Sequence, residues 1–303
     1  MLRFDDGSPI RAASGVAPFG GGFLIAQDDA THAAWWRPPS LAQRLRLLPP
    51  VTSPTEPLDV FSEAEGTKKW KPDLEGACPI EVDGRSAVLF LGSGSSEART
   101  RGVLVSGSTS DPSTHIADLS ELYAAVARAL DLRSADGSVL LNIEGVCCRG
   151  DHLRLFNRGN HGAGLANASV DVSIIAMLSM IEGTGPLPAI TNQRTYDLGT
   201  IDGVGLAITD ALSLPDGRIV LSAAAEDTPN AIDDGPVVGA ALALVVDDVV
   251  HAVTPLMVDG EPQKVEGLAL RSFGPHTVEL LAVVDSDDHT TASLALSVTI
   301  TLP

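Results

Sequence analysis

The stretch Leu74-Glu75-Gly76-Ala77-Cys78-Pro79-Ile80 decides the fold, because its acid followed by glycine recurs along the chain. The other copies are Glu144-Gly145, Asp202-Gly203 and Glu266-Gly267, with Ser14-Gly15 as a weaker first copy. Successive copies are 61, 69, 58 and 64 residues apart, and each precedes a short apolar run, a second hydrophobic strand and a polar loop. Short strands repeated at such a period are typical of β-propeller blades. We therefore predict an all-β, five-bladed β-propeller in which residues 1–303 form a single domain.

The repeat leaves the number of blades partly open. A six-bladed ring with one degenerate blade is the alternative, whereas a β-sandwich needs no such long, regular repeat. The few residues before Ser14 and the 37 residues after Glu266 together make nearly one repeat. We therefore expect residues 1–11 to supply the outer strand of the last blade, which would cover an exposed sheet edge.

One segment of the longest repeat departs from the strand pattern. Asp118-Leu119-Ser120-Glu121 has the form of a capping box. Apolar residues then follow at helical spacing, namely Leu119, Leu122, Tyr123, Val126 and Leu130. This pattern predicts a surface helix near residues 118–131. Residues 183–192 contain two glycines and two prolines, which favour a loop.

The composition narrows the class of protein. Hydrophobic residues make up 44% of the chain, and the formal net charge is −19. Nucleic acid and anionic membranes are repelled by such a charge, so we expect neither as a partner, whereas metal cations are attracted. The longest apolar stretch, residues 237–246, is shorter than the ~18 residues of a membrane span. The first residues have no apolar secretory core, so we expect a cytoplasmic location.

The repeated acids predict a metal site. The innermost strand of each propeller blade lines the central channel, so equivalent residues at its start form a ring. The residues of this predicted ring are Ser14, Glu75, Glu144, Asp202 and Glu266. Crowded carboxylates either take up protons or bind a cation. Since no histidine or cysteine lies at these positions, a hard cation fits, and flexible oxygen ligands favour Ca²⁺. The alternative is a water-filled tunnel whose acids bind no ion permanently.

The polar loops after the second strands return to the same face and surround the axis. The predicted substrate-binding residues are Asp28, Arg99, Arg101, Arg158, Asn160, Asp227 and Asp285, and the acidic run continues through Asp287 and Asp288 to His289. Arginine binds phosphate or carboxylate in bidentate fashion, and acids orient or deprotonate water. A small anionic molecule is therefore the expected ligand. The alternative is that these arginines only pair with neighbouring acids.

Three short motifs carry a family resemblance. Leu74-Glu75-Gly76, Ile143-Glu144-Gly145 and Val265-Glu266-Gly267-Leu268-Ala269 resemble motifs of the phytase-like and "esterase-like activity of phytase" propellers and of an uncharacterised bacterial propeller family. The five units with one serine and several acids are similar to the calcium-activated apyrases. That resemblance implies a central calcium held by the predicted ring, with hydrolysis of nucleoside di- and triphosphates above it. Aromatic residues are only 4% of the chain, so no stacking clamp for a nucleotide base is evident.

Three hypotheses about function remain at this level. The first is a calcium-dependent hydrolase of a small phosphoester or ester, with no catalytic residue identified. The second is a non-catalytic binding propeller with a structural axial ion. The third is a protein-interaction platform that uses the predicted helix and residues 183–192. No protein partner is identified by the sequence. The three cysteines lie in predicted inner strands, which favours buried free thiols over a disulfide scaffold.

Overall fold

The chain forms five antiparallel sheets arranged as the blades of a propeller. The computed structural model describes residues 1–53, 56–108, 110–133, 138–228, 235–285 and 291–302. Asp287, Asp288 and His289 lie outside the described residues. The innermost strand of each blade contacts the innermost strands of both neighbouring blades, which closes a ring. The prediction of a five-bladed propeller is confirmed, and the chain does not form the six-bladed alternative.

The strands of the first two blades follow one another in chain order from the axis outward. Blade 1 contains β1 (Ala13–Phe19), β2 (Gly22–Gln27), β3 (His32–Trp36) and β4 (Gln43–Arg46). A 3₁₀ turn at Lys68–Trp70 leads into the next blade. Blade 2 contains β5 (Leu74–Val82), β6 (Arg85–Gly92), β7 (Arg101–Ser108) and β8 (Asp111–Asp118).

Two helices are inserted around blade 3. Helix α1 (Ser120–Ala129) follows blade 2, and helix α2 (Ile174–Ile181) lies between two strands of blade 3. Blade 3 contains β9 (Ile143–Arg149), β10 (His152–Asn157), β11 (Asn167–Ser173) and β12 (Thr191–Tyr196). Neither helix is long and apolar enough to cross a membrane, within the part of the chain that the structure describes.

Each of the last two blades is preceded by a small hairpin. The first hairpin pairs β13 (Thr200–Ile201) with β14 (Val204–Gly205). Blade 4 contains β15 (Ala207–Ser213), β16 (Ile219–Glu226), β17 (Val237–Val246) and β18 (Val249–Pro255). The second hairpin pairs β19 (Met257–Val258) with β20 (Glu261–Pro262). Blade 5 contains β21 (Val265–Phe273), β22 (Thr277–Val284) and β23 (Leu294–Thr301).

The N-terminal residues join the last blade to the first. The Leu2 amide donates to the Ser293 carbonyl, and the Ser293 amide donates to the Ile10 carbonyl, both at 2.8 Å. Phe4 pairs with Ala42 of blade 1. Residues 1–11 therefore bridge blades 5 and 1 near Ser293, and they do not run alongside β23, where we expected an outer strand.

Helix α1 confirms the predicted insertion near residues 118–131. Leu122, Tyr123 and Val126 are buried in the core shared by blades 2 and 3. The Asp118 carboxylate accepts a hydrogen bond from the Ser120 amide at 3.0 Å, which satisfies one free donor of the first turn. The Tyr123 hydroxyl donates to the Gly92 carbonyl at 2.5 Å and fixes the helix on blade 2. The second helix, α2, was not predicted.

A buried group of charged residues ties blade 3 to blade 4. The Arg154 side chain is 1% exposed and donates two hydrogen bonds to Asp171, at 2.7 and 2.9 Å. Its third nitrogen contacts Asp248, which lies in the turn between β17 and β18. Arg149 also contacts Asp248, and the Arg194 Nε atom lies 2.6 Å from its Oδ2 atom. One carboxylate of blade 4 thus contacts three arginines of blade 3, two of which also pair with Asp171.

Replacing that carboxylate should weaken the junction. Asp248→Asn removes the carboxylate that Arg149, Arg154 and Arg194 share, and we expect a loss of about 2 kcal/mol in the free energy of unfolding by urea. The matched control is Asp247→Asn, since Asp247 is exposed in the same turn and also has a positive φ. Equal stability of the two variants would contradict the role assigned to Asp248.

Candidate functional site in the axial channel

A β-bulge occurs near the start of each of the five innermost strands. The register shift places one extra residue at the axis in each blade. These ring residues are Ser14, Glu75, Glu144, Thr209 and Glu266. The observed ring therefore contains four of the five predicted residues, with three carboxylates and two hydroxyl groups.

Asp202 does not occupy the ring position of blade 4. It lies exposed in the turn of the β13–β14 hairpin, where Asp202 and Gly203 both have positive φ, as a two-residue turn requires. Thr209 takes the ring position, and its hydroxyl donates to the Val265 carbonyl at 2.5 Å. Ser14 makes the equivalent bond to the Leu74 carbonyl at 2.6 Å. The hydroxyl residues therefore bind the backbone of the next blade.

A polar cavity of about 200 Å³ opens above this ring. In the described part of the chain, eight carboxylates and five lysine or arginine side chains line it. The acids are Asp28, Asp73, Glu75, Glu144, Glu226, Asp227, Glu266 and Asp285, and the bases are Lys68, Lys71, Arg99, Arg158 and Lys264. Acids exceed bases by three, so the cavity favours a positively charged ligand.

Three acids meet where the loop after β2 approaches the start of β5. Asp28, Asp73 and Glu75 offer carboxylate oxygens within 4.8 Å of one another, and no other group of three metal-ligating side chains does so among the described residues. The Lys71 Nζ atom lies 2.6 Å from Asp28 Oδ2 and 2.6 Å from Asp73 Oδ1. Glu75 makes no hydrogen bond or ion pair with the described residues and is half-buried beside them.

The Asp73 side chain is held on its other side by blade 2. Its Oδ2 atom accepts a hydrogen bond from the Ser93 hydroxyl at 2.5 Å and lies 3.0 Å from Arg99. Desolvation raises the pKa of Asp73, but Lys71 and Arg99 outweigh it and hold the pKa below its usual value. Asp73 is therefore a fixed anion at the cavity wall.

The opposite half of the cavity is a chain of ion pairs from blades 3, 4 and 5. Arg158 lies 3.5 Å from Glu144 and 2.7 Å from Glu226. Lys264 lies 2.9 Å from Glu226 and 2.8 Å from Glu266. The Glu266 Oε2 atom is buried and has no hydrogen-bond partner among the described residues. Nearly all of the charge in this half is thus compensated by the protein itself.

Desolvation raises the pKa of each ring glutamate, and the neighbouring charges make the raised values differ. It raises the pKa of Glu144 to about 6, against the opposing effect of Arg158. It raises the pKa of Glu266 to about 8, against the effect of Lys264. Desolvation and the nearby Glu144 charge raise the pKa of Glu75 well above its usual value. Near neutral pH, Glu144 is mainly ionised, whereas Glu266 mainly holds a proton.

The residues near Glu75 fit a calcium ion by the chemistry of their donors. All three groups offer hard oxygen ligands, and the uncompensated Glu75 side chain faces the other two. Lys71 contacts one oxygen of Asp28 and one of Asp73, which leaves Asp28 Oδ1 and the Glu75 oxygens for another cation. The three ring glutamates do not gather closely enough to share one ion among the described residues. The donors for an ion therefore lie between blades 1 and 2, off the centre of the predicted ring.

Six of the seven residues predicted to bind substrate line this cavity. They are Asp28, Arg99, Arg158, Asn160, Asp227 and Asp285. Arg101 is exposed at the start of β7, where it pairs with Asp118 at 3.6 Å, away from the cavity. Arg99 and Arg158 are paired with buried acids, as the alternative interpretation of these arginines expected.

The sequence reasoning missed Asp73 and the two lysines Lys71 and Lys264, which pair with acids of the cavity. The overlooked signal was the low lysine content of the chain. It has only four lysines, and three of them line the cavity. Lys264 stands two residues before the ring residue Glu266, and Lys71 stands two residues before Asp73.

The chain belongs to a family of unknown function, DUF6910, whose model matches residues 67–289. A search of curated proteins finds no significant match. The family match covers blades 2 to 4 and the first two strands of blade 5, and it includes most of the charged residues of the cavity, but it assigns them no activity.

Solved propeller structures are similar to the whole chain. A glutaminyl cyclase from Myxococcus xanthus has 11% identity and a TM-score of 0.48, covering 97% of this chain and 94% of that one. A luciferin-regenerating enzyme has 10% identity and a TM-score of 0.43, covering 99% and 94%. A putative glycoside hydrolase from Bacteroides ovatus has 12% identity and a TM-score of 0.44, covering 95% and 87%. At these values, the matches carry no argument about activity.

The protonated Glu266 predicts how stability depends on pH. Its pKa is about 8 in the folded protein and 4.5 for an ordinary glutamate, so the folded state holds the extra proton between these values. Its contribution to stability is therefore present below pH ~4.5 and is lost as the pH rises through ~8. In Glu266→Gln the stability should fall less between pH ~5 and ~9, by on the order of 2 kcal/mol.

Urea unfolding at several pH values measures this difference. Glu279→Gln is the control, because Glu279 is exposed on β22 of the same blade. A Glu266→Gln variant with the same pH slope as the unmodified protein would show that Glu266 is ionised in the folded state.

Proposed function

We propose that the axial cavity is the active site of a calcium-dependent hydrolase that acts on a small anionic phosphoester or ester. The observation that carries the proposal is the uncompensated Glu75 carboxylate beside Asp28 and Asp73. Buried acids of this kind either stay protonated or bind a cation, and oxygen ligands in flexible loops suit calcium. The resemblance to calcium-activated apyrases implied a calcium at the centre of the ring, whereas this proposal places the ion between blades 1 and 2.

The charge of the cavity determines the order of binding. Eight acids and five bases line the cavity, and Glu266, with a pKa of about 8, holds a proton near neutral pH, so the negative charge exceeds the positive charge by at most two. An anion entering the empty cavity is still repelled. A divalent cation cancels this excess, and the anion can then reach Arg99 and Arg158. The substrate should therefore bind only after calcium, so its apparent KM should rise when calcium is depleted.

The ring glutamates have suitable pKa values for acid–base chemistry. When two carboxyl groups have different pKa values, the one with the lower pKa can serve as base and the one with the higher pKa as acid. Glu144, with a pKa of about 6, can deprotonate an attacking water, and Glu266, with a pKa of about 8, can protonate the leaving group. Calcium, when bound, polarises the oxygen of the phosphoryl or acyl group. Arg158 contacts Glu144 and orients it.

The size of the cavity limits the substrate. A volume of about 200 Å³ is below the ~300 to 1,000 Å³ of pockets that enclose drug-sized ligands. No tryptophan, tyrosine or phenylalanine lines it in the described part of the chain. A compact phosphoester or ester suits this cavity better than a nucleotide, whose base needs a stacking surface.

A binding propeller without turnover is the second candidate. It is favoured by the ion pairs that hold Lys71, Arg99, Arg158 and Lys264, because a fixed network suits tight binding as well as it suits catalysis. In that case the ion stabilises the fold and the cavity retains its ligand unchanged.

Calcium binding is tested by calorimetric titration and by the melting temperature. Calcium at 100 times its Kd should stabilise the unmodified protein by about 2.7 kcal/mol. Glu75→Gln should lose most of this gain, because it removes the one carboxylate of the three that lacks a partner. Glu81→Gln is the matched control, since Glu81 is exposed near the other end of the same strand. Equal calcium binding by Glu75→Gln and the unmodified protein would exclude Glu75 as a ligand and overturn this site.

Turnover is tested with a panel of small phosphoesters and esters. We expect activity that EGTA abolishes and that calcium restores. Arg158→Ala should lower kcat/KM by about 100-fold, because it removes a cation near the reacting group and frees Glu144 to rotate. Arg158→Lys should recover part of the loss, and Arg101→Ala should have no effect, since Arg101 lies outside the cavity. Calcium binding without calcium-dependent turnover on any substrate would favour the binding propeller.

A further inference from the structure

Two cysteines meet at the junction of blades 2 and 3. Cys78 lies on β5 and Cys148 lies on β9, the adjacent innermost strands of the ring. Their sulfur atoms are 3.3 Å apart, although the residues are 70 positions apart in the sequence. Both sulfur atoms also lie 3.5 Å from the Pro79 carbonyl oxygen. The fold thus brings together two thiols that the sequence gives no reason to pair.

We propose that Cys78 and Cys148 form a dithiol that small-molecule disulfides oxidise to a disulfide bond between blades 2 and 3. The sulfur atoms need to approach by little more than 1 Å to reach the bonded distance of ~2.05 Å. Rotation of the two side chains about their Cα–Cβ bonds supplies a movement of this size. This inference is independent of the proposed hydrolase activity.

The two thiols differ in access. Cys78 is 1% exposed, whereas Cys148 is half-buried and lines a second, open cavity. Gly20 and Gly21 of the β1–β2 turn and Gly150 of the β9–β10 turn also line that cavity. These turns lie at the strand ends opposite to those that form the axial cavity. A small disulfide can therefore reach Cys148 without entering the axial cavity.

The hydrogen bond between the sulfurs gives them different acidities. The contact with Cys78 lowers the pKa of Cys148, whereas the contact with Cys148 and desolvation raise the pKa of Cys78 well above the usual value. The thiolate is the attacking form of cysteine. Because Cys148 is also the thiol that a small disulfide can reach, Cys148 is the first nucleophile and Cys78 is the resolving thiol.

The reaction balances as two thiol–disulfide exchanges. The Cys148 thiolate attacks one sulfur of R–S–S–R, which forms a mixed disulfide and releases RS⁻. Cys78 then loses its proton and attacks the Cys148 sulfur, which forms the Cys78–Cys148 bond and releases the second RS⁻. The two protons lost by the protein thiols convert the released thiolates to RSH. One disulfide is reduced as one is formed.

The new bond would lie close to the ring residues of both blades. Cys78 follows Glu75 by three residues on β5, and Cys148 follows Glu144 by four residues on β9. Cys147 lies on the opposite face of β9, in the core between blades 3 and 4, because successive side chains of a strand alternate. Cys147 therefore serves as an internal control with the same strand and burial but no partner thiol in reach.

The test uses the fully reduced chain and oxidised glutathione at about pH 8, where thiol exchange is rapid. Free thiols are counted after unfolding, and the bond is located by peptide mass mapping. We expect the count to fall from three to one, a Cys78–Cys148 cross-linked peptide, and a melting temperature that rises and returns after reduction. Cys147→Ala should form the same cross-link.

Single variants separate the two roles. Cys78→Ser should stop at a glutathione mixed disulfide on Cys148, and Cys148→Ser should keep its remaining thiols reduced. Three free thiols after prolonged exposure of the unmodified chain would overturn the proposal, and so would a stable mixed disulfide on its Cys148. Since the unmodified chain gives the decisive result, the proposal stays testable even if a variant fails to fold.

Discussion

The close approach of neighbouring innermost strands is the constraint on which the rest of this molecule depends. At Gly15 and Gly267, a Cβ atom would overlap the backbone oxygen of the ring residue in the next blade, and at Gly145 it would lie 2.8 Å from the Ala211 amide nitrogen. Glycine after the ring residue lets the strands pack this tightly. The bulge before it turns the ring side chain toward the axis. Ring closure and the charged cavity therefore have one origin, which is a bulge followed by a residue without a side chain.

Blade 4 has no glycine after its ring residue. Asp210 stands where the other blades have glycine, and its buried carboxylate accepts the Leu268 amide of blade 5 at 2.6 Å. Desolvation raises the pKa of Asp210 well above its usual value, against the backbone hydrogen bonds that lower it. The junction between blades 4 and 5 therefore depends on a buried carboxyl group that accepts a backbone hydrogen bond from the next blade. Thr209, like Ser14 in blade 1, contributes no charge to the cavity, which is why the ring has a carboxylate in only three blades.

The sequence revealed the number of blades because the bulge and its glycine repeat in four of them and an acid followed by glycine occurs shortly before the ring position of the fifth. It misplaced blade 4 because an acid followed by glycine has two physical origins, a bulge at the axis and a tight hairpin turn, and Asp202-Gly203 is the turn. It missed helix α2 because Ile174–Ile181 is apolar on most faces and rich in isoleucine, which also favours strands. The loops around the cavity were predictable from topology. Their ion pairs were not, since pairing Arg158 with Glu226 requires the relative positions of blades 3 and 4.

The two halves of the cavity differ in how their charge is balanced, and this difference determines where a ligand can bind. In blades 3 to 5, Arg158 and Lys264 each contact two glutamates, so an added cation would have to displace a lysine or arginine already held by buried acids. Between blades 1 and 2, Lys71 and Arg99 compensate Asp28 and Asp73 but form no ion pair with Glu75 among the described residues. Desolvation and the nearby Glu144 charge raise the pKa of Glu75 well above its usual value, so its negative charge is the one that the protein compensates least. A cation added at Glu75 would therefore leave the ion pairs of Arg158 and Lys264 in place.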